Sequence, residues 1–150
     1  MNIALVCWLG DSDLAQFQET SGKRGPIHST LEVRGFKQLH LLYNQALLKR
    51  YNMDSIEPYA VWLEQCFNLK VSVCKAQLES PVHYGDIYKA ANSLLTRLVE
   101  ALSKNEISVL LSPGTPQMHA LWLLMCKTSF DLPMLEWSEE QGVIDVDMPF

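Results

Sequence analysis

The stretch Ile107-Ser108-Val109-Leu110-Leu111-Ser112-Pro113-Gly114-Thr115-Pro116-Gln117-Met118 reads as a strand that turns sharply into a helix. Residues 107–111 form a β-branched, apolar run suited to a sheet covered on both faces. Gly114 lacks a Cβ and allows close backbone approach. Thr115 is a good N-cap, and Pro116 suits the first helical position because its missing donor costs nothing there. Free amides at such a helix start carry partial positive charge. The backbone of Gly114, Gln117 and Met118, with the hydroxyls of Ser112 and Thr115, therefore offers a cradle for a phosphate or carboxylate. Local physics is equally compatible with a well-capped turn that binds nothing. No Gly-Lys-Ser/Thr follows this turn and no G-x-G-x-x-G follows the first apolar run, so neither NTP hydrolysis nor NAD chemistry is supported.

Working outward, apolar runs recur at residues 3–9, 39–43, 69–74 and 133–137. Between them lie segments with helical spacing: a short one opened by Gly25-Pro26-Ile27, then 45–67 with an interruption over 52–58, then 86–103 and 116–127. Strands alternating with helices predict an α/β, Rossmann-like fold: a mainly parallel five- or six-stranded sheet with helices on both faces. The stretch from Gly10-Asp11-Ser12-Asp13 to Gly25, with its glycines and Lys23-Arg24 pair, reads as a long loop. Residues 143–148 form a tail with apolar residues at Val143, Val146 and Met148. Ligands of open α/β sheets lie beyond the carboxyl ends of the strands, where strand order reverses. That singles out two loops, 10–13 after the first strand and 112–115 after the fourth.

Other polar groups have plainer readings beside functional ones. Asp86 reads as an N-cap, and Tyr84 beside it either packs or stacks on a base exposed in the pocket. His119, Lys23 and Arg24 are candidate phosphate partners or acid/base groups, against a helix-face histidine and a solvated loop tip. Asp11 and Asp13 make only half of a metal site, and neither metal nor cofactor is expected. Trp62 and Trp122 lie on apolar helix faces as core residues. The helices bearing Met118, Leu121, Trp122, Met125 and Leu94, Leu95, Leu98 carry enough apolar surface for either a core or a dimer interface.

The 150 residues suit one domain, and 48% hydrophobic content excludes disorder. A net charge of -5 argues against a generic nucleic-acid surface, so any phosphate must be held by local geometry. Cys7, Cys66, Cys74 and Cys126 have no metal-ligand spacing and read as reduced and structural. The start, Met1-Asn2-Ile3-Ala4-Leu5, lacks a basic leader, which predicts a cytoplasmic protein.

The run from Leu111 through His119-Ala120-Leu121-Trp122 resembles the strand-four motif of CRISPR-associated Rossmann-fold (CARF) domains. Leu41-Leu42-Tyr43-Asn44, His83-Tyr84-Gly85-Asp86-Ile87-Tyr88 and the closing Glu140-Gln141-Gly142 through Met148-Pro149-Phe150 resemble the sensor domain that opens sigma-N-dependent transcriptional activators related to the regulator of RNA-repair operons. The likeness spans nearly the whole chain, and its specific part is 112–118.

The resemblance implies a single sensing domain over 1–150. It would work as a homodimer whose paired turns bind a cyclic oligoadenylate or a phosphate-ended RNA across the two-fold axis. Together with the switch-point loops and Tyr84, the expected ligand set is Gly10, Asp11, Ser12, Tyr84, Ser112, Gly114, Thr115, Pro116, Gln117 and Met118. The ATPase and DNA-binding modules of the activators are absent after Phe150. They are expected in a longer chain, which the strand-like 148–150 end favours, or in trans. Some CARF domains cleave their ligand by positioning a ribose hydroxyl for attack, so a metal-independent ring nuclease is the enzymatic alternative. A scaffold without a small ligand is the other.

Overall fold

Alternation along the first strand divides the core in two. In β1 (Ala4–Trp8) every residue is buried. Val6 and Trp8 join one apolar cluster, whereas Leu5 and Cys7 join the other. A strand buried on both faces belongs at the centre of a parallel sheet. β1 is flanked by β2 (Gln38–Tyr43) and β4 (Ile107–Leu110), both parallel to it. With β3 (Lys70–Lys75), β5 (Met134–Ser138) and β6 (Gly142–Asp145), the sheet order is β3-β2-β1-β4-β5-β6. Only β6 runs antiparallel. The computed structural model describes residues 2–149, so Met1 and Phe150, on which parts of the leader and tail expectations fall, lie outside the described residues.

Helices α1 (Asp11–Gln18), α2 (Pro26–Val33), α3 (Gln45–Arg50) and α4 (Glu57–Cys66) cover the Leu5 face. Helices α5 (Tyr84–Ala101) and α6 (Pro116–Thr128) cover the Trp8 face. Ile87, Ala91, Leu94, Leu95 and Leu98 of α5 and Met118, Trp122 and Met125 of α6 interlock there at helical spacing. Their apolar surface is thus spent on the core, and among the large residues of α6 it is Leu124 that stays exposed. No helix among the described residues is long and apolar enough to cross a membrane.

Several sequence expectations need correction. Residues 11–18 are helix, not loop. Gly10 is the N-cap of α1, and the helix stops at Glu19, which adopts a left-handed conformation (φ 56°). Asp13 supplies the missing cap from inside the helix: its Oδ2 accepts the Gly10 amide at 2.9 Å, while Leu14 and Ala15 are buried. At the start of α5 the N-cap is His83, whose Nδ1 accepts the Asp86 amide at 3.3 Å. Asp86 sits in the first turn and accepts the Glu79 amide at 2.7 Å. The interruption within 45–67 falls as expected, with Asn52 left-handed (φ 56°). The tail forms β6 over 142–145, but Met148 and Pro149 are outside it.

Trp62 is half-buried, stacked on His28 at 4.8 Å. All four cysteines are free, and burial pushes the Cys126 thiol up to about 12. Cys66 is exposed, so it does not serve as a core residue.

Asp13 holds two helices. Its Oδ1 also accepts the Ile27 amide, at 3.0 Å in the first turn of α2. Burial outweighs both bonds and pushes its carboxyl up to about 7, helped by the nearby charge of Asp11. In the unfolded chain the same group titrates near ~3.9. Across the interval between, the folded state holds a proton that the unfolded state has released. This group's contribution therefore favours folding increasingly as pH falls from above 7 toward ~4. In urea unfolding, the stability of wild type relative to Asp13→Asn should rise between pH 8 and pH 5.5. A pH-independent difference would mean that Asp13 stays ionised.

Candidate functional site

The connections from β1 and β4 depart to opposite faces, so α1 and α6 start side by side at the carboxyl end of the sheet. This is the switch point at which open α/β sheets hold ligands. The two turns touch through backbone. A Cβ on Gly10 would lie 2.7 Å from the Gly114 amide nitrogen. Gly114 has φ +98°, and its own Cβ would meet Met118 Sδ at 2.6 Å and Trp8 Cβ at 3.3 Å. A side chain at Gly10 forces the turns apart, whereas one at Gly114 is strained by the positive φ and displaces Met118.

Both helix N-termini face open space. Among the described residues, no backbone or side-chain acceptor takes up the amides of Asp11, Ser12, Gly114 or Gln117. Three adjoining cavities share Gly114 in their walls. The first, about 340 Å³, lies between Gly10, Asp11, Asn44, Arg50, Gly114 and Thr115. The second, about 350 Å³, is walled by Ser112, Thr115, Pro116 and His119. The third, about 120 Å³, lies between Ser12, Asp13, Pro26 and Pro113. The larger two fall in the range of small-ligand sites.

The side chains expected to bind are not all available. Thr115 caps α6 by accepting the Met118 amide at 3.4 Å, and its hydroxyl donates to the Pro81 carbonyl at 2.7 Å. Its proton is thus spent on the β3–α5 loop. Ser112 Oγ accepts the Trp137 amide at 2.6 Å, which ties the turn to β5. Met118 is buried, with Sδ 3.4 Å from the Thr115 nitrogen. Gln117 does not line these cavities, and its Oε1 is buried without a partner among the described residues. Pro116 is exposed at the cavity wall.

Tyr84 is 55% exposed in the first turn of α5 and lies outside the cavity walls, although Pro81 of the same loop is in the first. Of the basic candidates, Arg24 bonds Glu32 at 2.8 Å and, like Lys23, lies outside the three cavities, whereas His119 lines the second. Both oxygens of Asp13 accept amides, whereas Asp11 accepts from Arg50 and Tyr51. Glu79, His83 and Asp86 bring ligand-type atoms within 4.8 Å of one another, in the cap of α5.

Sequence reasoning missed Asn44 and Arg50. They reach the first cavity because β2 is the other neighbour of β1, so its carboxyl end opens onto the same space. The readable signal was Asn44 directly after an apolar run. Its Oδ1 accepts the Ala46 amide at 3.3 Å and caps α3.

No protein-family model and no curated protein matches the sequence. Solved structures do match its fold. Csm6 of Enterococcus italicus, bound to cyclic hexa-2'-fluoro-hexa-dAMP, aligns over 95% of this chain with a TM-score of 0.78 and 12% identity. Can2 of Sulfobacillus thermosulfidooxidans, in complex with cyclic tetra-adenylate, aligns over 97% with a TM-score of 0.65 and 13% identity. Protein VC1899 of Vibrio cholerae aligns over 96% with a TM-score of 0.70 and 9% identity. The chain has a CARF-type fold. It spans about a third of each of these proteins, 34%, 35% and 33% of their respective lengths.

The Gly10–Gly114 contact makes a stability prediction. Gly10→Ala should destabilise the protein by about 1–3 kcal/mol in urea unfolding, because the clash is with backbone. Gly35→Ala, where a Cβ meets nothing within 4 Å, should change stability little. Equal effects would remove the case for enforced contact between the turns.

Proposed function

We propose that this chain is a ligand-sensing domain that binds a cyclic oligoadenylate at the paired turns 10–12 and 112–118. One observation carries the reading: two helix N-termini with untaken amides converge on adjoining cavities at the switch point. Such amides bind anions through partial positive charge, which suits a protein of net charge -5. The complexes of Csm6 and Can2 with cyclic adenylates support that class of anion. A phosphate-ended RNA presents the same charge to the same amides and is the competing ligand within this reading. Backbone Asp11, Ser12 and Gly114 would hold phosphate, with Thr115 and Met118 fixing the turn that presents them.

The domain would act as a homodimer and pass ligand binding to a transcription-activating effector module elsewhere in a longer chain or in trans. The apolar groove of α6, formed by Ala120, Leu123 and Leu124 beside Met148, supports self-association. The likeness of 41–44, 83–88 and 140–150 to sigma-N activator sensors supports the effector.

Ring cleavage is a second reading with its own observation, His119 in the wall of the second cavity beside Ser112. Here His119 would serve as the acid/base group.

Calorimetric titration with cyclic tri-, tetra- and hexa-adenylate and with a cyclic-phosphate-ended RNA, followed by product analysis, tests the proposal. Binding without turnover is expected, and turnover would make the domain a nuclease. Pro116→Glu places a carboxylate at the first turn of α6, where it favours the helix but repels a phosphate. Its melting temperature should stay close to wild type while affinity falls roughly tenfold or more, the factor that about 1.4 kcal/mol represents. A folded wild type that binds none of the four would leave a scaffold.

A further inference from the structure

Arg50 is the last residue of α3, and it is the one Lys or Arg side chain in the walls of the three switch-point cavities, among the described residues. Its Nη2 lies 3.2 Å from both carboxylate oxygens of Asp11. The Tyr51 hydroxyl donates to the same carboxylate at 3.1 Å. Asp11 is the first residue of α1, so this carboxylate stands at the positive end of the helix whose amides are otherwise untaken. The site already contains an anion and its cation, both from the chain itself.

We propose that Arg50 is a ligand-phosphate contact and that Asp11 is its resident counter-anion, displaced when phosphate arrives. The proposal rests on the anion-site reading above. The pair suits exchange. Its side chains are 61% and 59% exposed, and such ion pairs are weak. A guanidinium binds phosphate through two parallel hydrogen bonds, more strongly than a single exposed carboxylate contact. Phosphate seated against the α1 and α6 amides would also repel the Asp11 carboxylate across the same cavity. Ligand entry would then free Asp11 from α3. That releases the ionic link between the first turn of α1 and the end of α3, while Tyr51 keeps a hydrogen bond available to Asp11.

This assignment predicts effects of opposite sign from two halves of one ion pair. In calorimetric titration with cyclic tetra-adenylate, Arg50→Ala should weaken binding about tenfold or more. It should also reduce the slope of log affinity against log salt by about one phosphate contact. Arg50→Lys should recover part of the affinity. Asp11→Asn should strengthen binding severalfold, because it removes the competitor but keeps a hydrogen-bonding side chain. Thermal melting of each variant checks that folding is retained. A purely structural pair would give both variants the same sign, and that result would overturn the proposal. So would an Arg50→Ala variant that binds like a competent wild type, which would leave the anion site itself standing. A wild type that binds neither cyclic tetra-adenylate nor inorganic pyrophosphate overturns the anion site and this proposal together.

Discussion

The contact between Gly10 and Gly114 is the constraint on which the site depends. Two parallel neighbours, β1 and β4, send their helices to opposite faces, and their first turns must share the small space above the sheet. They do so only because Gly10 carries no Cβ, while Gly114 adopts the positive φ of its turn. The consequence is chemical as well as steric. Helix starts that would ordinarily be separated by side chains come together, and their free amides address one volume. The helix starts thereby add partial positive charge to a cavity whose wall also holds Arg50.

Asp13 shows what that arrangement requires underneath. Its two oxygens tie the start of α1 to the start of α2, at a place where Gly10 and Gly25 offer no capping side chain. A Cβ on Gly25 would fall 2.8 Å from the Asp13 Cα, so this packing too is backbone against backbone. The buried carboxyl is pushed toward neutrality by its surroundings, which relieves charge in the wall of the third cavity. Asp11, two residues earlier, is exposed and stands on the rim with Arg50. Two aspartates of one turn thus have different surroundings, because one is inside the turn and the other outside it.

How much of this was legible depended on the range of the interactions. Residues 107–118 were readable because each has a local reason: β-branched residues for a strand, Gly114 for close approach, Thr115 for the cap, Pro116 for the first turn. The six-stranded α/β architecture followed from alternation of such segments. The helix over 11–18 was not readable, because its N-cap is a glycine and the capping group reaches back from Asp13. His83 was overlooked as a cap because its ring nitrogen does what a Ser or Asp would ordinarily do. In the site, the fates of the Thr115 and Ser112 hydroxyls rest on Pro81 and Trp137, which lie far away in sequence. Arg50 was invisible for the same reason, since only the strand order brings the end of α3 to the switch point.

The fold shared with Csm6, Can2 and VC1899 places a chain with 9–13% identity to each on a common frame. Identity that low leaves the frame intact while side chains diverge, as backbone amides at helix starts do not depend on residue type. The amides of both turns are proposed to bind one phosphate-bearing ligand. Amide-resolved NMR during titration with cyclic tetra-adenylate tests it most directly. The amides of Asp11, Ser12 and Gly114 should shift together and saturate at one ligand concentration. Shifts confined to one turn, or centred on 79–86 while these amides stay still, would contradict it.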